Sequence, residues 1–149
     1  QEQANNYYNK LIGLEKLGDA KEKSAFAYYF KKDFKQAEKL LKDAAEETPN
    51  NMTVLSHLAV CYSKNEKPKL AVEVLDRLEG LRSDYQYGSV DYALAQYYAA
   101  TNQQEQAFQH LLQSAADGNL YTSQTFQNDV HFKEYLENPT FKNILTFWH

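Results

Sequence analysis

Four sets of residues recur along the chain at spacings of 34 and then 36 positions, and this period constrains the fold more than any other feature. The sets are Ala25, Ala59 and Ala95; Tyr28, Tyr62 and Tyr98; Ala37, Ala71 and Ala107; and Leu41, Leu75 and Leu111. Small residues recur where two helices approach closely, and a ring recurs where one helix pair packs on the next. A period of this length predicts an array of stacked helix pairs.

The stretch from Met52 to Leu81 shows what one period contains. Its first half has apolar residues at the i, i+3, i+4 and i+7 spacing of a helix, at Leu55, Leu58, Ala59 and Tyr62. Polar residues 63–67 interrupt the pattern, and Pro68 then starts a second helix, where its missing N–H costs nothing. The second helix has an apolar face formed by Leu70, Ala71, Val74, Leu75 and Leu78. Neither helix buries its face alone, so the hairpin requires neighbours.

This repeated pattern resembles that of the tetratricopeptide repeat family, W-x2-L-G-x2-Y…A-x3-F…P, whose period is about 34 residues. The matching segments are Ala25-x2-Tyr28, Ala37-x3-Leu41, Ala44 and Pro49 in the first copy, Leu55-x2-Leu58-Ala59-x2-Tyr62 and Ala71-x3-Leu75 in the second, and Leu94-Ala95-x2-Tyr98 and Ala107-x3-Leu111 in the third. The family pattern is not kept at Lys21, Ser24, Ser83 and Asn119. The resemblance implies an all-α fold, a right-handed α-solenoid of antiparallel helix hairpins with an N-terminal helix and C-terminal capping helices.

The period divides the chain into the parts of a single domain. They are an N-terminal helix at 1–17, repeats at 18–51, 52–85 and 86–119, and a C-terminal cap at 120–149. Asp33 is placed to cap the second helix of the first repeat, and Asn138 with Pro139 is placed to begin a last helix. The inward stripe of that helix would consist of Phe141, Leu145 and Trp148. The cap resembles the closing segment of bacterial tetratricopeptide groups, in which short helices cover the exposed edge of the last hairpin.

Charge and hydropathy exclude several classes of function. The net charge of −4 and the pI near 5.6 argue against a surface for nucleic acid or for anionic membranes. Lysines at 31–32 and 39–42 interleave with acids, which predicts i, i+4 ion pairs and no basic stripe. No apolar run approaches the roughly 18 residues of a membrane-spanning helix.

The first residue is Gln1 and not Met. Mature exported bacterial proteins often begin in this way after a signal peptide is removed, and an excised fragment would begin in the same way. We therefore favour an exported or periplasmic location slightly over a cytoplasmic one. The single cysteine, Cys61, excludes an internal disulfide and indicates no compartment.

Catalytic and metal-binding patterns are scarce. The sequence has no glycine-rich phosphate loop, no G-x-S-x-G elbow and no H-E-x-x-H motif. His57 and Cys61 are one helical turn apart and would supply half of a zinc site, but no nearby Cys/His pair supplies the other half. A small buried residue is the better interpretation of Cys61. We predict no catalytic residue, no metal and no cofactor.

The resemblance implies that the first helix of each hairpin lines a concave groove. The partner-binding residues implied there are Phe26, Tyr29, His57, Lys64, Tyr92 and Gln96. Large aromatic residues in a groove are typical anchors for a peptide or a helix. We expect His57, Tyr92 and Gln96 to be accessible. An alternative for Phe26, Tyr29 and Phe30 is that they pack against the N-terminal helix.

The function implied by the resemblance is a non-catalytic protein–protein interaction module, monomeric in itself, that presents the groove to a peptide or protein segment. Binding of chaperone C-terminal tails is not expected, because the positions of the family's carboxylate clamp carry neither Lys nor Arg; they are Glu22, Phe26, His57, Ser89 and Ala93. An alternative is the regulatory or C-terminal repeat domain of a larger enzyme of hydrolase type. A third hypothesis is a structural protein that assembles end to end through Tyr7, Tyr8 or the tail.

Overall fold

A computed structural model describes residues 21–83, 86–118 and 123–147. These residues form helices and turns, and no strand occurs among them. The helices are α1 (Lys21–Phe30), α2 (Phe34–Glu47), α3 (Met52–Lys64), α4 (Pro68–Glu79), α5 (Ser89–Ala100), α6 (Gln104–Ala116), α7 (Ser123–Asn128), a 3-10 helix (Val130–Tyr135) and α8 (Pro139–Leu145). The predicted all-α class is confirmed for these residues. The predicted N-terminal helix and Trp148 lie outside the described residues.

The helices belong to two compact units, with the division after Leu75. In the first unit α2 packs on both α1 and α3. In the second unit α5 packs on α6, α6 packs on α8, and the 3-10 helix contacts α5 and α7. We call residues 123–147, with α7, the 3-10 helix and α8, the closing segment. The closing segment therefore lies against the third hairpin, which consists of α5 and α6.

The turn inside each hairpin is a Schellman motif, and it occurs three times in the described chain. Each turn has one residue with left-handed backbone, at Lys32 (φ 64°), Glu66 (φ 61°) and Asn102 (φ 60°). The N–H of the following residue donates to the carbonyl five positions earlier, in the pairs Asp33 to Tyr28, Lys67 to Tyr62 and Gln103 to Tyr98. The backbone hydrogen bonds thus repeat with the same period as the sequence.

Side-chain caps fix where several helices begin. Asp33 accepts a hydrogen bond from the N–H of Gln36 at 3.3 Å. Asn138 accepts from the N–H of Thr140 at 2.9 Å, with Pro139 in the first helical position. Both caps are predicted by the sequence, and both are confirmed.

Burial differs between the two helices of a hairpin. In α3 every residue in the range 54–62 is buried, and in α5 every residue in the range 90–97. In contrast, α2 buries one stripe, formed by Ala37, Leu40, Leu41, Ala44 and Ala45. The six recurring alanines are all 1 % exposed or less. A helix buried on all sides leaves little side chain for solvent, and this decides the accessibility of the predicted groove residues.

Gly88 brings the start of α5 against the backbone of α6. Its φ is 74°, and a Cβ at this position would lie 2.5 Å from the carbonyl oxygen of Ser114. Gly118 has the same φ of 74°, but a Cβ there would have no neighbour within 4 Å. Gly88 is therefore required both for its left-handed backbone and for its lack of a Cβ, whereas Gly118 is required for its backbone conformation alone.

We expect Gly88→Ala to lower the free energy of unfolding by about 2–5 kcal/mol, because the strain of left-handed backbone adds to overpacking against Ser114. Gly118→Ala should lose the conformational part alone, about 1–2 kcal/mol. Urea unfolding followed by circular dichroism measures both. Equal losses in the two variants would contradict the close contact at Ser114.

We expect Glu66→Gly to raise the free energy of unfolding by up to about 1 kcal/mol, because glycine adopts left-handed backbone without steric cost. Ser63→Gly, in the helical last turn of α3, is the matched control and should lower it by about 0.5–1 kcal/mol. The same urea titration compares them. A loss of stability in Glu66→Gly would show that the turn depends on the Glu66 side chain.

Candidate functional site

Three aromatic rings of α1 surround His57 of α3 in the first unit. The ring centroids of Phe26, Tyr29 and Phe30 lie 5.0, 4.5 and 6.0 Å from that of His57, each in an edge-on arrangement. We call these four residues the aromatic cluster. Because its rings come from two helices, the cluster ties α1 to α3 and fixes the surface that they share.

Hydrogen bonds to residues of α3 fix the orientation of the His57 ring. Its Nδ1 lies 2.7 Å from the carbonyl oxygen of Thr53, which only accepts, so Nδ1 carries the proton and donates. Ser56 Oγ lies 3.2 Å from the same nitrogen and donates to the Thr53 carbonyl at 3.0 Å. His57 is therefore an oriented, buried side chain at the base of the aromatic cluster.

The expectation that His57, Tyr92 and Gln96 are accessible is wrong. Their exposures are 3 %, 9 % and 8 %. The physical reason is the burial of α3 and α5 on all sides, which a groove drawn from helical spacing does not anticipate. Tyr29 is buried as well, whereas Phe26 is half-buried and Lys64 is exposed.

Cys61 of α3 is a core residue, as predicted. It is fully buried, and burial, followed by the nearby charge of Glu38, raises the pKa of its thiol to about 12. A thiol with this pKa forms almost no thiolate at neutral pH, and the thiolate is the form that attacks and that binds zinc. In the described part of the chain, no group of three or more His, Cys, Asp or Glu side chains is placed to hold a metal ion.

In the second unit, the groove-side residues of α5 bind the chain's own closing segment through Asp129. Tyr92 donates its hydroxyl to Asp129 Oδ2 at 2.5 Å, and Gln96 Nε2 donates to the same oxygen at 2.8 Å. On the other carboxylate oxygen, Asp129 Oδ1 accepts from the N–H of His131 at 2.9 Å and lies 2.6 Å from its Nδ1. We call these four residues the Asp129 network.

The Asp129 network stabilises the ionised carboxylate. Burial alone would raise the pKa of Asp129, but the hydrogen bond and charge of His131, together with the hydrogen bonds from Tyr92 and Gln96, outweigh burial and lower the pKa well below its ordinary value. A largely buried carboxylate with this many donors is a fixed negative charge. It holds the start of the 3-10 helix against α5.

Ring packing supports the same contact. Tyr92 stacks on Phe126 of α7 at 5.5 Å and meets Phe132 of the 3-10 helix edge-on at 6.0 Å. Phe108 of α6 meets Tyr135 edge-on at 4.9 Å. Tyr92 is thus part of the apolar core between the third hairpin and the closing segment.

A second polar cluster, which sequence reasoning missed, surrounds Asp91 on α5. Arg82 forms a bidentate pair with it, at 2.6 Å from Nη1 and 2.9 Å from Nη2, and His110 Nδ1 lies 2.7 Å from Asp91 Oδ1. Burial raises the pKa of Asp91, but the hydrogen bonds from Arg82 and His110 outweigh burial and lower it. The available signal in the sequence is that Asp91 is the single charged residue of a mostly apolar helix, since a buried carboxylate requires a partner.

We expect acid to destabilise the second unit through Asp129. Because the pKa of Asp129 is lower in the folded chain than its ordinary value of 3.8, the unfolded chain takes up this proton first. The stabilisation is complete above about pH 4 and is lost as pH falls towards the folded pKa. Asp129→Asn should therefore lower the melting temperature at neutral pH. The melting temperature of this variant should then fall less between neutral and acid pH than that of the wild type. Asp91, whose pKa is also lowered, should account for part of the fall that the variant still shows.

The control is Glu134→Gln, which removes an exposed carboxylate from the same 3-10 helix. Melting temperatures at about pH 7 and about pH 3, followed by circular dichroism, test the prediction. An unchanged melting temperature for Asp129→Asn at neutral pH would contradict a stabilising role for the network.

Comparison with known proteins identifies the repeat. A family model described as tetratricopeptide repeat matches residues 31–87. No curated protein and no solved structure gives a significant match to the chain. Among the described helices, none combines the length and the apolar composition that crossing a membrane requires. Tetratricopeptide repeats are generally non-catalytic modules for protein–protein interaction, and residues 31–87 of this chain match the model of that family.

Proposed function

We propose that the chain is a protein-interaction module whose first unit binds a peptide segment of a protein partner on the half-buried aromatic rings of α1 and the exposed ends of α3. The observation that carries the proposal is the aromatic cluster. Its outer rings, Phe26 and Phe30, are half-buried and rest on the buried side chains of Tyr29 and His57.

A surface of this kind is organised before a partner arrives. The ring of His57 is fixed by the Thr53 carbonyl, and the rings of α1 are fixed by their edge contacts with it. Little conformational freedom is then lost on the receptor side when a peptide binds. The exposed parts of Phe26 and Phe30 would anchor an apolar side chain of the partner.

The polar ends of the proposed surface are Thr53 and Lys64, both exposed, at opposite ends of α3. They share a helix face with His57, because their spacings are close to whole numbers of turns. At a rise of about 1.5 Å per residue, they are roughly 16 Å apart along the helix. That distance accommodates about five residues of extended peptide.

Tyr92 and Gln96 have a different role in this proposal. They hold the closing segment through Asp129, so their polar atoms are already engaged. The proposed partner surface therefore includes Phe26 and Lys64 directly, and Tyr29 and His57 as its support.

Selection from a displayed library of random peptides on the immobilised chain tests the proposal. Peptides that bind the wild type should lose at least about tenfold in affinity for Phe26→Ala, the variant that removes the anchor ring. The control is Leu112→Ala, which removes a 43 % exposed apolar side chain from α6 in the second unit. Titration calorimetry on the selected peptides measures the affinities.

The proposal predicts that the control binds like the wild type. Equal weakening in both variants, or unchanged binding in Phe26→Ala with its fold intact by circular dichroism, would place the binding site elsewhere. Enrichment of no peptide on the wild type would also count against it.

A further inference from the structure

The two hairpin turns of the first unit bring together lysines that are distant in the sequence. Asn65 Nδ2 donates to the carbonyl oxygen of Phe34 at 3.0 Å and to Glu38 Oε2 at 2.6 Å, so the second turn lies against the start of α2. The exposed lysines beside these two contacts include Lys32, Lys35, Lys64 and Lys69, and we call these four the basic edge.

Lysines outnumber acids at and around the basic edge. Residues 31–39 and 64–73 carry seven lysines and four acids, a net charge of +3 in a chain whose total is −4. Two of the four acids are already engaged, since Asp33 caps α2 and Glu38 accepts from Asn65 and pairs with Lys67 at 2.6 Å. The other two, Glu66 and Glu73, are exposed. The sequence predicts no basic stripe because the edge forms across two turns and not along one helix.

We propose that the basic edge binds an acidic segment of the protein partner. This inference rests on the proposed function, since Lys64 belongs to both surfaces, and it adds the chemistry of the partner. Lysine presents a flexible point charge, which suits a row of carboxylates without fixed geometry. Exposed charges act over roughly 8 Å at physiological salt, so the edge would steer the acidic segment towards the neighbouring aromatic surface.

Nucleic acids and anionic membranes fit this edge less well. Single-stranded nucleic acids stack their bases on exposed rings beside positive charge. The ring in this edge, Phe34, is half-buried and meets Tyr29 edge-on at 5.8 Å. Binding at a membrane surface requires a broad apolar face beside the lysines. The large apolar side chains exposed next to this edge are Leu70 and Val72 of α4, and two side chains do not form a broad face.

Charge reversal at Lys35→Glu/Lys69→Glu tests the inference without touching the aromatic surface. Both lysines lie in the first turn of a helix, where a glutamate is favourable to the helix dipole, so the variant should fold. The control is Lys133→Glu/Lys142→Glu, which makes the same change in net charge at exposed positions of the second unit. Because it also removes the exposed pair of Lys142 with Glu137, its fold is checked by circular dichroism. The probe is a fluorescein-labelled peptide of alternating Glu and Ser, followed by fluorescence anisotropy.

We expect the wild type and the control to bind this peptide at about 50 mM salt, and the Lys35→Glu/Lys69→Glu variant to bind at least about tenfold more weakly. The corresponding Gln-Ser peptide should not bind. Equal weakening in both variants would show that binding depends on net charge alone, and this would overturn the inference. Failure of the wild type to bind would also overturn it. Tighter binding to oligothymidylate or to phosphatidylserine vesicles than to the Glu-Ser peptide would also overturn it.

These outcomes are distinguishable from failure of the proposed function. If the acidic peptide fails while selected peptides still depend on Phe26, the aromatic surface stands and the basic edge does not. If the acidic peptide binds through Lys35 and Lys69 while Phe26→Ala changes nothing, the edge acts without the aromatic surface.

Discussion

Close contact between the two helices of a hairpin is the interaction on which the rest of this structure depends. Ala95 and Ala107 are fully buried in one apolar cluster with Leu111, and the same positions are alanine in the other two repeats. A side chain of one carbon lets the helices approach, and close-packed interiors respond to a change of even one methylene. The Schellman turns then set where each second helix begins, so packing and backbone share one period.

Burial of the first helices makes their polar residues structural. A buried polar group is costly unless it is hydrogen-bonded, and the structure solves this differently in the two units. His57 bonds within its own helix, to Thr53. Asp91 bonds to Arg82 and His110, and Gln96 bonds to Asp129 of the closing segment. The groove-side polar residues of the third hairpin therefore stabilise the closing segment of the same chain.

In the first unit, aromatic rings and lysine side chains remain at least partly exposed to solvent. Its aromatic cluster has a buried base and half-buried outer rings, and its two turns gather lysines that outnumber the neighbouring acids. Apolar area of this kind gives affinity once it is desolvated, whereas exposed charge contributes mainly to the rate and specificity of encounter. In our proposals the two features act on one partner segment that carries an apolar anchor and neighbouring carboxylates.

The sequence by itself determined the helix pairs of the repeats, the caps at Asp33 and Asn138, the buried alanines and the repeat pattern. These properties depend on local spacing and on residues that recur with a fixed period, so they can be predicted from the sequence alone. Only the tertiary structure decided that Tyr92 is a core residue, that Asp129 is its partner, and that lysines of two turns form one edge. These properties depend on contacts between residues about 30 or more positions apart, where helical spacing carries no information about which side chains meet.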